Sequence, residues 1–373
     1  MPLIDFDDAL DLLRGCDAPQ RTERLPLIAA AGRFLAEPVA LQRDQPGFDR
    51  ATMDGYAVCL QPGQARYRVV GTVHAGEEAV VAPQPGEALR IMTGAPCPAG
   101  VAVIPRECTD EGDPLVGLQD LERWRTGANI AQRGEDGRAG DRVVAAGTRL
   151  TPAVLAAAAM AGVGELTVFC APRLGLCTTG DELDATGAAG IADSNGPFLT
   201  AFARSLDLPI ERRHAGDTGD ALRTHLQALA ASSDVLVTTG GVSAGDRDLV
   251  PAILAELGYE PILHGIAMQP GKPVLVARHT DGRFAVGLPG NPVSVLATAQ
   301  LILAPVIGRF WRGWQPQSFD LPLACDWRHA KKRRLFLPAR LIDGGVEPIR
   351  WNGSGERHQC RHGRHLQLPP RSA

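Results

Sequence analysis

The chain has 373 residues, 45% of them hydrophobic and 21% charged, with a formal net charge of −4 at pH 7. That length suits about two to four domains around a sizeable core, and scattered charges of both signs argue against a nucleic-acid binder or a basic membrane-surface protein. No uninterrupted apolar stretch reaches the length of a membrane span, and residues 1–8 are acidic where a signal peptide is basic, so a cytoplasmic protein is expected.

In chain order, residues 5–15 read as an amphipathic helix, with Asp5 as N-cap and Phe6, Ala9, Leu10 and Leu13 at helical spacing. From about Gly47 to Arg149 short strand-like runs (67–73, 88–92, 101–104, 142–145) alternate with glycine and proline clusters, as in a small all-β module. Thr151 and Pro152 then open an alanine-rich helix that Gly162 ends. This order of helix, β module and helix suggests an insertion. From about Arg173 the pattern turns to regular βα units. Strands are predicted at 174–178, 208–212, 235–239, 261–266, 274–277 and 284–287, with helices near 198–205, 220–230, 249–257 and 292–303. Asp281–Gly282 reads as a tight hairpin turn, which makes the last two strands antiparallel on an otherwise parallel, doubly wound α/β sheet. A strand-rich tail follows a proline-bearing connector. His358, His362 and His365 beside Cys360 near the end read as a solvated tail in preference to a metal site. The eight cysteines, at 16, 59, 97, 108, 170, 177, 325 and 360, form no Cys-x-x-Cys pair and read as reduced thiols.

Three glycine turns each follow a short apolar run: CTTGDEL (177–183), VTTGGVSAGDRD (237–248) and VGLPGNPVS (286–294). Such turns place backbone N–H groups at the carboxyl edge of an open α/β sheet, where ligands bind. Two of them also carry carboxylates, Asp181 and Glu182 in one, Asp246 and Asp248 in the other. Carboxylates repel phosphate, so an anion-holding edge dressed with them points to a bridging divalent cation, most simply Mg²⁺. Glu182, Asp217, Gly240, Asp248, Lys272 and Gly290 all fall in or near loops able to reach that edge. Gly240 and Gly241 followed by Ser243 read either as an anion-binding nest or as an ordinary βα turn; Thr178 to Glu182 (Thr179, Gly180 and Asp181 between them) repeats the design with acids attached. Pro289, Gly290, Asn291 and Pro292 form a stiff turn with Asn291 as N-cap and Pro292 at the first helical position. Lys272 is a point charge on the turn QPGKP, suited to an oxyanion. MDGYA (53–57), IMTGAP (91–96) and the charged turn 133–136 (RGED) are loops whose spacing alone demands no catalysis. No G-x-S-x-G elbow, Walker lysine loop or H-E-x-x-H occurs, so the chemistry rests on positioning, metal and charge.

MDGYA, IMTGAP, RGED, TTGDEL, TTGGVSAGDRD, PGKP and GLPGNP, in this order and at these separations, resemble the MoeA-type molybdopterin molybdenumtransferases, a family that includes the E domain of gephyrin. The resemblance implies an elongated N-terminal domain (1–46 plus 141–168), an inserted β domain (47–140), a molybdopterin-binding α/β domain (169–313) and a small C-terminal β domain (314–373). It implies a homodimer and a reaction in which adenylated molybdopterin and molybdate give molybdenum cofactor and AMP, with Mg²⁺. Carried over position by position, its functional residues are Asp54, Thr93, Glu182, Asp217, Asp248, Pro289 and Pro292. On this reading Glu182, Asp217 and Asp248 hold the metal. Thr179, Gly180, Asp181, Gly240, Gly241, Ser243, Lys272, Pro289, Gly290, Pro292 and Arg133 face the substrate. Gln269 and Gly265 depart from the basic residues common in the family, and the tail after Gly355 departs too. Molybdopterin adenylyl transfer, with the adenylyltransferase otherwise a partner, and a non-catalytic scaffold are the alternatives.

Overall fold

Six strands build the sheet expected from the βα pattern: β1 (Leu174–Thr179), β2 (Ile210–Ala215), β3 (Val235–Thr239), β4 (Tyr259–His264), β5 (Leu275–His279) and β6 (Phe284–Leu288), in the spatial order β2-β1-β3-β6-β5-β4. The structure, a computed structural model, describes residues 3–77, 81–183, 190–242, 249–312, 314–326 and 333–349. Strands β2, β1, β3 and β6 are mutually parallel, and β5 runs against both β6 and β4. The hairpin between β5 and β6 turns where expected, with His279 N–H donating to the Arg283 carbonyl (2.9 Å) and Gly282 at φ +89°. Strands β1, β3 and β6 are buried along their whole length, as strands covered on both faces must be. Alternate residues feed two cores. Leu174, Leu176, Val235, Val237, Phe284 and Val286 pack with helix α3 (Asn195–Ser205), whereas Cys177, Leu236 and Ala285 pack with α4 (Gly219–Ser232) and α5 (Val250–Glu256). Gly175 permits the close approach of α4: a Cβ there would lie 3.0 Å from Leu229 Cβ and 2.8 Å from Ser233 Oγ. Burial holds the Cys177 thiol up at about 12, so it packs as a small apolar group.

Strand β2 starts two residues later than expected and runs three further. Its Arg212, Arg213 and His214 suit a sheet edge, which an apolar-run criterion does not find. One helix nonetheless has the length and mean hydropathy of a membrane span, although Ser294, Thr298, Gln300 and Arg309 interrupt its apolar run. After α6 (Pro292–Thr298) the helical path continues to Trp311, a 20-residue run long and apolar enough to cross a membrane. Most of it is buried against Leu176, Val286 and Leu288, so its apolar composition has an internal cause: it is a core helix.

The chain divides into two compact units, one made of Met1–Glu37, Ala146–Ala153 and Glu165–Ala373 and the other of Pro38–Ala145 and Val154–Gly164. The first contains the sheet and α1 (Phe6–Gly15), whose N-cap Asp5 accepts from the Asp7 amide at 2.9 Å. In the second, Gly55–Val58 is the buried central partner of Ala102–Pro105 and Glu87–Ile91, with Arg66–Val73 and Leu115–Gly117 completing five strands. Tyr56, Val58 and Ile104 pack into one core of this module, Ala57, Ile91 and Val103 into the other. The helix Pro152–Met160 ends before Gly162, at φ +88°. Among the described residues the cysteines are free thiols. The tail histidines lie outside the described residues.

Candidate functional site

Strand connectivity opens a crevice at the carboxyl ends of β1 and β3. The chain leaves β1 for α3 on one face of the sheet and leaves β3 for α5 on the other, so the two exits diverge, as at the ligand-binding switch point of open α/β sheets. Thr179 closes the floor of this crevice: its buried hydroxyl donates to the Thr239 carbonyl at 2.9 Å. Gly240 sits directly above it at φ +89°, where a Cβ would lie 2.7 Å from Thr179 Oγ1. At Gly180 (φ +125°) the Glu182 carboxylate folds back to within 2.3 Å of the Cβ position, a flexible side-chain end that can shift. Gly180 is therefore required by its backbone conformation, and Gly240 by backbone conformation and by the buried Thr179 hydroxyl below it.

The amides partly depart from the expected anion nest. Gly180 N–H already donates to the Ala215 carbonyl (3.3 Å) and Gly240 N–H to the Leu288 carbonyl (3.1 Å), so these glycines serve as turn formers. The Gly241 amide, at φ +61°, has no acceptor among the described residues.

Two acidic loops interlock on the rim. Asp217 N–H donates to Asp181 Oδ1 at 2.9 Å, and Asp181 N–H reaches back to Asp217 Oδ2 at 3.4 Å. The reciprocal bonds leave one oxygen of each carboxylate uncommitted. Gly216 makes the approach possible, since a Cβ there would lie 2.6 Å from Asp181 Oδ1. It is thus Asp181, one residue before the expected Glu182, that is bonded to the Asp217 loop. These donors are hard oxygens, the class that suits Mg²⁺. No group of three acidic, histidine or cysteine side chains among the described residues is close enough to hold a metal, and Asp248, Asp246 and Ser243 lie outside the described residues.

The Pro289–Pro292 turn borders the same crevice. Asn291 caps α6 by accepting from the amides of Val293 (3.1 Å) and Ser294 (3.4 Å), as its sequence position suggests, and Pro292 starts the helix. Gly290 approaches the backbone of the neighbouring turn, its Cβ position 3.7 Å from Gly240 Cα. Sequence reading missed the group that pins it: Asn195, opening α3, donates from Nδ2 to the Gly290 carbonyl at 2.8 Å. Asp193 steadies this helix start by accepting from the Gly196 amide (2.9 Å) and pairing with Arg212, which packs on Gly196. The only signal for it was a polar stretch before an apolar-periodic helix. Lys272 is exposed and has no ion pair among the described residues.

The three motifs of the β module converge with one another. Asp54 Oδ1 accepts from both the amide and the hydroxyl of Thr93, each at 2.7 Å. The strand residues before Asp54 pair with both other motifs: Ala51 exchanges backbone bonds with the Gly94–Ala95 turn, and Arg133 N–H donates to Asp49 Oδ1 at 2.8 Å. Arg133 itself pairs through Nε with Asp44 (2.7 Å). The Thr93 hydroxyl, its amide and the nearby Arg106 charge hold the Asp54 carboxyl below the usual carboxylate range. Because the folded value is depressed, the stabilisation from this contact is complete above the unfolded value and fades as the pH falls through the folded one. Thr93→Ala is expected to move the Asp54 titration upward, part-way to an ordinary aspartate, as read by NMR of its carboxyl carbon; an unmoved titration would mean that the hydroxyl contact is absent in solution.

With this geometry in view, comparisons decide the family. Residues 4–162 match the model of the MoeA N-terminal region (domain I and II), and residues 175–309 match that of a probable molybdopterin binding domain. A molybdopterin molybdenumtransferase from Synechococcus elongatus is 34% identical, over 92% of this chain and 89% of its own. The chain belongs to the molybdopterin molybdenumtransferase family. A second member, from Bacillus subtilis, is 32% identical over 84% of this chain and 76% of its own. The crystal structure of a molybdopterin biosynthesis MoeA protein from Pyrococcus horikosii superposes with a TM-score of 0.76 at 29% identity, covering 94% of this chain and 90% of that one. Against this family, the glycine at 265 has a local cause. It stands at φ +90°, a backbone conformation that a residue with a side chain adopts only with strain, and its Cβ position lies 2.8 Å from the movable end of Leu3.

Proposed function

We propose that this chain transfers molybdenum from molybdate to adenylated molybdopterin, releasing AMP, and that it depends on Mg²⁺. Family membership gives the reaction class, and the observation that carries the site assignment is the Asp181–Asp217 interlock between the loops that follow β1 and β2, on the rim beside the β1–β3 crevice. Molybdate and the pyrophosphate of the other substrate are both anions, and at about 4 Å their unit charges repel by several kcal/mol at an effective dielectric near 20. Asp217 and Asp181, together with Asp248 of the motif that the family resemblance assigns, would hold Mg²⁺, which supplies the positive charge that lets the two anions meet. Thr179 and the glycines at 180 and 240 keep the floor narrow, so a pyrophosphate lies against backbone. Lys272 and the Gly241 amide steady oxyanion oxygens. The dithiolene that receives molybdenum belongs to the substrate, so no protein thiolate takes part, in keeping with the raised pKa of the buried Cys177. The same resemblance is the ground for proposing a cytoplasmic homodimer that receives its substrate from a molybdopterin adenylyltransferase.

Purified protein given adenylated molybdopterin, Mg²⁺ and molybdate is expected to release AMP and form active cofactor only when all three are present. A parallel reaction with molybdopterin and ATP is expected to yield no adenylate. AMP release that ignores molybdate, or tight binding without turnover, would overturn the assignment.

A further inference from the structure

The loop that carries Lys272 is gripped from two sides by segments remote in sequence. On one side Ile4 bridges Ile266, with Ile4 N–H donating to the Gly265 carbonyl (3.3 Å) and Ala267 N–H to the Ile4 carbonyl (2.8 Å). On the other side Arg334–Leu335 pairs in parallel with Met268–Gln269. There Arg334 N–H donates to the Ala267 carbonyl (2.9 Å) and Phe336 N–H to the Gln269 carbonyl (2.8 Å). The gripping segments are also joined to each other. The Arg334 guanidinium bonds Asp7 through two prongs, Nη1 to Oδ1 at 2.6 Å and Nη2 to Oδ2 at 2.5 Å. It lies 5.3 Å from the Phe6 ring, and Phe6 packs on Phe336 with ring centroids 4.8 Å apart.

We propose that Arg334 is a positioning residue for the oxyanion substrate: its clasp on Asp7 sets the Met268–Lys272 loop, and so the place of the Lys272 ammonium. The inference rests on the proposed reaction, in which Lys272 meets molybdate. A purely global role does not account for the clasp, because both side chains are substantially exposed (44% and 61%) and exposed ion pairs contribute little to overall stability. Two-pronged geometry and the aromatic contact give it direction, and direction is what a loop bearing a single point charge needs. A lysine ammonium displaced by even one ångström loses most of a charge-assisted hydrogen bond.

Arg334→Ala and Asp7→Ala are each expected to raise the KM for molybdate about tenfold, to leave the KM for adenylated molybdopterin within twofold, and to leave the Tm nearly unchanged. The double variant is expected to match the singles, and the exchanged pair Asp7→Arg with Arg334→Asp to recover most of the affinity. Amide hydrogen exchange over residues 268–272 reads the loop without turnover and is expected to quicken in each single variant. Unchanged exchange, or an equal rise in both KM values, overturns the positioning role. If wild-type protein releases AMP regardless of molybdate, the proposed reaction fails and this inference falls with it; faster exchange in the variants then records only a structural clasp.

Discussion

Asp217→Ala is expected to lower AMP release by about a thousandfold while the protein still folds, and Asp217→Asn by nearly as much. The pair of variants separates the two things this carboxylate does. Asparagine keeps an oxygen that accepts from the Asp181 amide, so the interlock between the two loops survives, but its negative charge is gone. Alanine removes the charge and this 3.4 Å bond, and keeps only the backbone N–H that donates to Asp181 Oδ1. Under the proposed mechanism the charge is what matters, because it holds the cation that masks two mutually repelling anions, whereas the interlock only sets the spacing of the loops. Single-turnover AMP release at saturating substrate checks this, with far-UV circular dichroism to verify folding. An asparagine variant with wild-type rates would remove the cation from the proposal and leave Asp217 as a spacer.

Gly55→Ala should destabilise the β module by about 3 kcal/mol and lower its melting temperature by roughly 10 °C. Gly55 has no unusual φ; the reason is space alone. It lies on an interior strand opposite Pro105, and an added Cβ would fall 1.9 Å from the Ile104 carbonyl oxygen and 2.8 Å from its carbon. These are backbone atoms of a fully buried neighbour, so the strands must separate to admit a methyl group. The loss would spread to activity, since the Asp54–Thr93 contact hangs from the same strand end. Gly164→Ala, in the same unit and with nothing within 4 Å of its Cβ position, serves as the neutral control. Calorimetric melting that is equal for the two variants would show that the close strand contact does not exist in solution. The glycine in MDGYA is thereby explained by packing, while the aspartate beside it carries the polar contact.

Much of this was legible beforehand where the cause is local. Asp5, Asn291 and Pro292 act at helix starts through bonds and φ angles that span three residues, and they sit where capping preference puts them. The Asp281–Gly282 hairpin and the buried runs of β1, β3 and β6 follow from the same short-range rules. Reading failed where the cause is distant. The strand expected at 208–212 extends to Ala215 because of its register with β1, Leu174 opposite Ile210 through Thr179 opposite Ala215, and nothing in Arg213–His214 announces that extension. Strand Thr22–Pro26 exists because Glu165–Phe169 lies against it, more than a hundred residues away.

The sequence by itself determined the family, the order of elements and which turns would carry acids and glycines, since ordered motifs and hydrophobic period are properties of neighbours along the chain. Only the tertiary structure decided that Asp181 meets Asp217, that Asn195 pins Gly290, that the amides of Gly180 and Gly240 are already spent, and that Arg334 reaches back to Asp7 beside the lysine loop. Hydrogen bonds and ion pairs act over about 3 Å in space, and residues 35 to 327 positions apart reach that distance only when the sheet and its connections have set where each loop ends.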